Sequence, residues 1–399
     1  MKNTLIGLAL LGATTTTVVL YPAPDSRAGT PLPAPAAQAA ALIPVTRPRI
    51  EVVFVLDTTG SMGGLIAAAK DKIWSIAASL AQADPAPEIR IGLVGFRDRG
   101  DEYVTRVVDL SSDLDTLYAA LMDFQVAGGG DGPEAVNQAL AEAVERISWS
   151  ADDNVYRAIF LVGDAPPHMD YQGERQYPEV LADASRRGIV VNAIQCGRQP
   201  DTRAAWQHIA ALAQGEYIDV AQDGNALAVT TPHDAELARL AAEMDATRIF
   251  FGDDQARARA AAKQAATAKL NAAAPAVLAR RARFNASAAG AASFAGDDEL
   301  VEAVSSGRVD LATIDAAVLP APLARMDAAE RAAYIATQAR MREAVRNRIV
   351  TIAAARDAVI EETLTRRGGD DASLDARVYE TVGRQAGEIG LHYEADAKH

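Results

Sequence analysis

The sequence has few of the residues that build disulfides and zinc sites. Cys196 is the single cysteine among 399 residues, which excludes an intramolecular disulfide framework and a cysteine cluster for zinc. The five histidines are scattered, and no His-Glu-x-x-His pattern is present. Because Cys196 ends an apolar run at residues 189–196, we expect it to be a buried side chain that behaves as a small hydrophobe.

Basic residues are also in the minority. The chain has 39 lysines and arginines against 53 acidic residues, and its formal net charge is −14. This balance argues against a general nucleic-acid-binding protein. It is compatible with cation binding, although most acidic proteins are simply soluble. The length is sufficient for one large domain and a second, smaller unit.

The N-terminal segment resembles an export signal. Lys2 precedes an apolar run at residues 5–20, and small residues follow at positions 26 and 28. We expect residues 1–28 to be a signal peptide or, as the alternative, an uncleaved anchor in the inner membrane. Residues 29–48 are rich in proline and alanine, which predicts an extended linker. The remainder is then expected in the bacterial periplasm or cell envelope.

Strand and helix patterns alternate from residue 49 to residue 232. Strands are predicted at residues 50–57, 89–96, 103–110, 156–162, 189–194 and 217–220, and helices at 64–80, 114–124, 133–147, 177–187 and 202–213. This alternation predicts an α/β domain, a doubly wound and mostly parallel sheet with helices on both faces.

Residues 233–399 are predicted to form a helical C-terminal region. The segment 255–270 has mostly alanine as its apolar residue, so we expect it to bury little surface. A short helix is expected at 297–306. The clearest helix runs over about residues 327–366, where Asp327 and Glu330 form a capping-box pattern. Its narrow apolar stripe requires a partner, and we favour packing on the same chain over another protein.

The most informative local pattern is an acid at the end of a buried strand. The apolar run 52–56 ends at Asp57, and Thr58, Thr59 and Ser61 follow before helical spacing begins. In open α/β sheets, ligands bind at the carboxyl ends of the strands. Oxygen-only donors on a tight turn suit a hard cation such as Mg²⁺, so a metal site is predicted here.

Two more segments are expected to reach the same edge of the sheet. The glycine-rich loop 128–134 carries Asp131 and Glu134, and its Pro133 suits the first turn of a helix. Asp164 follows the predicted strand 156–162. Because the carboxyl ends of parallel strands lie at one edge, these three segments are expected to converge.

About residues 49–221 resemble the von Willebrand factor A domain. The metal-ion-dependent adhesion site of that family reads D-x-[ST]-x-S, followed by a loop Thr and a strand-end Asp. Asp57, Thr59 and Ser61 match the first part, and Asp164 matches the last. The loop position is Asp131, not Thr, which resembles the bacterial and α-kinase-associated branch of these domains, although no kinase domain is recognisable.

The resemblance implies a non-enzymatic protein that binds Mg²⁺ or Mn²⁺. The implied ligands are Asp57, Thr59, Ser61, Asp131 and Asp164, with hydroxyls on the metal and some acids acting through water. The cation would then take a carboxylate from a protein partner, in an adhesion, assembly or scaffold role. Asp131 adds a negative charge, and whether it binds the metal directly or orients a water stays open.

Four residues near this edge are candidate partner contacts: Arg97, Asp98, Glu134 and His168. The charge-rich loop that begins at Arg97 follows a strand end, where it is placed to meet a partner. His168 lies four residues after Asp164. The simpler interpretation of such residues is a solvated loop and a capped turn.

Two other functions remain open. The domain could be a metal-stabilised structural module that recognises partners through its C-terminal helices. The segment from Asp57 to Ser61 also matches D-x-T-G-[ST], the phosphorylated-aspartate motif of P-type ATPases and related phosphatases. Against a hydrolase, Thr59 stands where related phosphatases place a second acid, and no lysine is suitably placed to neutralise a phosphoryl group.

Overall fold

Among the residues that the structure describes, six strands form one sheet. The computed structural model describes residues 47–130, 132–222, 229–367 and 374–393. The strands are β1 (Arg49–Asp57), β2 (Glu88–Phe96), β3 (Thr105–Ser111), β4 (Val155–Gly163), β5 (Ile189–Cys196) and β6 (Tyr217–Val220). Their order across the sheet is β3-β2-β1-β4-β5-β6. This order confirms the predicted fold class.

Strand β3 alone among these six pairs antiparallel to its neighbour. It pairs with β2, whereas the other neighbouring strands pair in parallel. The connection between β2 and β3 spans residues 97–104, which is shorter than the dozen or so residues that a parallel crossover needs. The sheet is therefore mostly parallel, with one antiparallel strand at its edge.

Helices cover both faces of the sheet and continue to the end of the described chain. They are α1 (Gly63–Leu80), α2 (Leu114–Met122), α3 (Val136–Glu145), α4 (Tyr177–Arg186), α5 (Pro200–Leu212), α6 (Asp234–Asp245), α7 (Asp254–Leu270), α8 (Pro275–Ala286), α9 (Gly290–Ala295), α10 (Leu300–Ser305), α11 (Ala321–Ala324), α12 (Ala328–Arg367) and α13 (Leu374–Gln385). None of them is long and apolar enough to cross a membrane.

The central strand β1 is buried on both faces, which explains its continuous apolar run. Phe54 and Leu56 lie in the core layer that also contains residues of α1 and α2. Val53 and Val55 lie in the opposite layer, with residues of α3, α4 and α5. A strand covered on both sides does not alternate apolar and polar residues. Cys196 is fully buried in the first layer, as predicted.

Helix α3 begins three residues later than predicted. Pro133 was expected in its first turn, but Glu134 instead forms an isolated parallel bridge with Pro167, and the helix begins only at Val136. The backbone N–H of Glu134 donates to Pro166 O at 2.9 Å, and that of Ala135 donates to Arg97 O at 3.1 Å. These bonds satisfy the backbone outside the helix and position Glu134 beside the strand ends.

The C-terminal helices pack on the α/β domain. The Phe284 ring of α8 lies 5.8 Å from the Trp74 ring of α1, centroid to centroid. Val378 and Val382 of α13 are fully buried in the same core layer. All described residues belong to one compact unit, Thr46–His399. The expected self-packing of the helical region is therefore confirmed.

Helix α7 contacts the domain through a few small side chains. Ala256, Ala260, Ala266 and Leu270 are each less than a tenth exposed. Helix α7 packs on α2, and the small alanine side chains allow the two backbones to approach closely. The other alanines of α7 are exposed, so the buried surface is small, as expected, and it is confined to one contact face.

The long helix α12 has the predicted start and the predicted stripe. The backbone N–H of Glu330 donates to Asp327 Oδ1 at 2.8 Å, and that of Asp327 donates to Glu330 Oε2 at 3.0 Å, so the capping box is confirmed. Ile335 and Ile349 are 2% and 0% exposed. The predicted signal peptide, most of the linker and Asp131 lie outside the described residues.

Candidate functional site

The first segment of the site joins a central strand to helix α1. Asp57 is the last residue of β1, and Thr59 precedes a single helical turn at Gly60–Met62. The Thr59 backbone N–H and hydroxyl both donate to Asp57 Oδ1, at 2.9 and 2.6 Å. The hydroxyl oxygens of Thr59 and Ser61 are 3.3 Å apart. One carboxylate and two hydroxyls therefore lie together, as the sequence predicted.

Asp57 is buried, and no described basic side chain pairs with it. Its Oδ2 is inaccessible and has no hydrogen-bond partner within the described residues. Burial raises the pKa of Asp57 to about 7; hydrogen bonds from Thr59 act in the opposite direction, and the nearby Asp164 carboxylate adds to the rise. An ionised carboxylate that is buried without a partner is costly in free energy, and a bound cation would lower this cost.

Asp164 reaches the same place from the neighbouring strand. It directly follows β4, which pairs with β1. Gly163 makes room for Asp57, because a Cβ there would lie 3.1 Å from Asp57 Cβ. The hydroxyl of Thr202 donates to Asp164 O at 2.8 Å and anchors the backbone. The two acids at the strand ends therefore lie close together, as the sequence predicted.

The glycine-rich loop lies against the first segment. The backbone N–H of Gly60 donates to Gly128 O at 3.2 Å. Gly128 and Gly129 have φ of +75° and +78°, a region that favours glycine. A Cβ on Gly129 would lie 2.8 Å from Thr59 Cβ, so only glycine allows this approach. The predicted role of Asp131, two residues further along, stays a prediction.

Glu134 belongs to this cluster, although the sequence suggested only a partner contact. It is 3% exposed, and its Oε2 has no hydrogen-bond partner among the residues described. Burial raises the pKa of Glu134 to about 9, and the charges of Asp57, Asp98, Asp101 and Asp164 add to the rise. In the sequence, only the short spacing of Glu134 from Asp131 indicated that it could join the site. The backbone conformation that turns its side chain inward depends on tertiary contacts, such as the hydrogen bond to Pro166 O.

The other three candidate partner contacts are also buried. Arg97, Asp98 and His168 are 2%, 7% and 6% exposed. The hydroxyl of Tyr171 lies 2.8 Å from both carboxylate oxygens of Asp98. The His168 ring stacks on that of Tyr171 at 4.1 Å. These buried side chains lie beside the site. Their direct contact with a partner stays a prediction.

The donor set fits a hard cation better than a zinc-type ion. The described residues contain no group of three or more His, Cys, Asp or Glu side chains arranged to hold a metal. What the structure brings together is the pair of hydroxyls of Thr59 and Ser61 with the carboxyl groups of Asp57 and Asp164. Oxygen donors of this kind, which leave room for water, suit Mg²⁺ or Mn²⁺.

Comparison with known families identifies the segment that carries the site. Residues 51–232 match the family model described as von Willebrand factor A domain. The matched segment contains Asp57, Thr59, Ser61 and Asp164 together with the sheet that positions them.

Curated relatives share only part of the chain. The von Willebrand factor A domain-containing protein 7 of Rattus norvegicus and that of Homo sapiens are 36% and 34% identical over 120 residues. A putative ariadne-like RING finger protein of Acanthamoeba polyphaga mimivirus is 25% identical over 119 residues. These matches cover 30% of this chain, which spans only 11 to 12% of the length of those relatives.

Two solved structures are similar to part of the chain. The VWA domain of SpRpn10 has a TM-score of 0.34 and 16% identity, over 44% of this chain and 89% of that one. Proximal thread matrix protein 1 from the mussel byssus has a TM-score of 0.34 and 15% identity, over 45% of this chain and 43% of that one.

Proposed function

Because residues 51–232 match the family model of the von Willebrand factor A domain, we propose that this segment binds Mg²⁺ or Mn²⁺ and through the cation captures a carboxylate of a protein partner. The proposed ligands are Asp57, Thr59, Ser61, Asp131 and Asp164. The bound cation would supply a positive charge beside Asp57 and Asp164.

The observation that carries the proposal is the unsatisfied oxygen of Asp57. Buried carboxylate oxygens are normally hydrogen-bonded or paired with a charge, and Asp57 Oδ2 has neither in the part of the chain that is described. Asp57 is also next to two hydroxyls and faces a second acid. A divalent cation accounts for all of these features at once.

The direct test is a calorimetric titration of the full chain with Mg²⁺ and Mn²⁺. Asp57→Asn keeps the shape of the side chain and removes its charge, so we expect the saturable signal to disappear. Asp153→Asn, at an exposed aspartate in the loop before β4, is the matched control and should bind as wild type does. Undiminished affinity in Asp57→Asn would contradict the proposal. At a hundredfold excess over Kd, the cation should stabilise the wild-type fold by about 2.7 kcal/mol.

A second candidate is a metal-stabilised module whose C-terminal helices recognise the partner. The exposed apolar side chains of Tyr334, Met341 and Val350 on α12 favour it. The two functions differ in one observable. EDTA should release a partner that is held through the cation, and it should leave a partner that is held by α12 in place.

We propose no enzymatic activity. Each described lysine is engaged away from Asp57: Lys70 with Met122 O and Phe124 O, Lys72 with Asp375, Lys263 with Asp113 and Lys269 with Asp123. A phosphoryl group on Asp57 would lack the lysine that such chemistry uses. Turnover of an aryl phosphate by the wild-type protein that is lost in Asp57→Asn would contradict this proposal.

We also propose that the protein is exported to the periplasm or cell envelope. The support is the apolar N-terminal run with Lys2 before it and small residues after it. N-terminal sequencing of the protein from its own cells tests this. A mature chain that begins near residue 29 is the expected result, and an intact Met1 in a soluble fraction would contradict it.

A further inference from the structure

The side chain of Gln222 reaches across the sheet edge to the candidate cation site. Gln222 follows β6, which is separated from β4 by β5. Its Nε2 nevertheless lies 2.6 Å from Asp164 Oδ2 and 3.4 Å from the backbone oxygen of Ser61. One carboxamide therefore touches two of the three segments that form the site.

The surroundings determine which end of this carboxamide faces the site. Asp164 Oδ2, Ser61 O and, at 3.9 Å, Met62 Sδ are all acceptors, so the group among them must be the NH₂ donor. Gly197 at the end of β5 has φ +80°, and a Cβ there would collide with Gln222 Oε1. The absence of a side chain at Gly197 opens the path that the carboxamide takes over β5.

A donor in this position fixes the orientation of the Asp164 side chain. The hydrogen bond from Gln222 restrains the side-chain torsion through Oδ2. The backbone of Asp164 is anchored separately by Thr202, so the carboxamide of Gln222 acts on the side chain.

We propose that Gln222 is a positioning residue for the cation site, which holds the Asp164 side chain oriented from the segment after β6, two strands away from β4. This inference rests on the proposed function. Hydrogen-bonding partners of metal ligands typically contribute ten- to a hundredfold in metal affinity. Methionine is similar in size to glutamine. The variant Gln222→Met therefore removes the hydrogen-bond donor and changes the side-chain volume little.

The test compares Mg²⁺ titrations of full-length wild type, Gln222→Met and Gln199→Met. Gln199 is an exposed glutamine after β5 and serves as the matched control. We expect Gln222→Met to weaken Mg²⁺ binding about tenfold, with Gln199→Met unchanged. The unfolding temperature in EDTA should be the same for all three proteins. The affinity for Mg²⁺ relative to Ca²⁺ should also fall in Gln222→Met, because Mg²⁺ demands stricter ligand geometry.

Several results would overturn the inference. They are unchanged or tighter Mg²⁺ binding in Gln222→Met, an equal loss for Mg²⁺ and Ca²⁺, and a lower unfolding temperature in EDTA, which would indicate a structural role. In each case the wild type still binds the cation and the proposed function stands. A wild-type protein that binds no cation would instead overturn both.

Discussion

Arg281 on α8 donates from Nε and Nη2 to the two carboxylate oxygens of Asp115 on α2, at 2.6 Å each. Both residues are 2% exposed, and the pair joins the helical C-terminal region to the α/β domain. The guanidinium also donates to Asp245 at 2.8 and 2.9 Å. A planar, bidentate contact of this kind is specific to arginine. The helical region is therefore connected to the domain through a buried charge network as well as through apolar packing.

Arg281→Met should destabilise the protein strongly. The substitution removes the bidentate partner of the buried Asp115 and leaves Arg248 as the remaining arginine beside Asp115 and Asp245. Breaking a buried pair from one side costs about 3–5 kcal/mol, so with Arg248 still present we expect a loss near the lower end of that range. Urea unfolding measures the loss. Arg257→Met removes an exposed pair with Asp254 and should change stability by less than about 1 kcal/mol. Similar losses in the two variants would contradict a special role for the Arg281–Asp115 contact.

Asp115 should make stability depend on pH in the acid range. Burial alone would raise the pKa of Asp115, but the charge and hydrogen bonds of Arg281, with Lys263 and Arg248 nearby, hold it well below its usual range. A carboxyl group whose folded pKa is lowered contributes stability above its unfolded pKa of about 3.9, and this contribution is lost as pH falls further. We expect wild type to lose more stability than Asp115→Asn between about pH 5 and pH 2. Parallel pH profiles for the two proteins would contradict this.

Gly129→Ala should impair the cation site, whereas Gly130→Ala should not. A Cβ at Gly129 would lie 2.8 Å from Thr59 Cβ, and φ there is +78°. The loop or Thr59 must therefore shift, and we expect Mg²⁺ affinity to fall by roughly tenfold or more. At Gly130 a Cβ has open space. Titration of the two variants checks the prediction, and equal affinities would show that the approach of the loop to Thr59 is not needed.

Ile349→Ala and Val350→Ala should differ sharply although the residues are adjacent on α12. Ile349 is fully buried against α6 and α8, so its truncation should cost about 2–5 kcal/mol. Val350 is 55% exposed, and its truncation should change the unfolding free energy by less than about 0.5 kcal/mol. Chemical denaturation measures both. A small effect at Ile349 would mean that α12 contributes little to the fold.

Some of the site could be predicted because its parts are local. Asp57, Thr59 and Ser61 lie within five residues of one another, and a strand-to-helix turn brings them together without help from elsewhere. Asp164 was predictable because strand ends in a parallel sheet share an edge. Gln222 was not recognised as part of the site, and Glu134 was expected there only as a partner contact. Glu134 is turned inward by bonds to Pro166, and Gln222 reaches the site only because Gly197 lacks a side chain.

The sequence by itself determined the sheet and the centre of the candidate site. Strands buried on both faces need continuous apolar runs, and these runs are visible in the chain. Two of the runs are followed by an acid, Asp57 in one case and Asp164 in the other. Only the tertiary structure decided which C-terminal helices pack on the domain and which charges are buried. An alanine-rich helix such as α7 has no pronounced apolar face, so its contact surface depends on the shape of the partner helix. The environment of Asp115 or Glu134 likewise depends on residues far away in the chain, because burial and counter-charge arise only once separate segments meet.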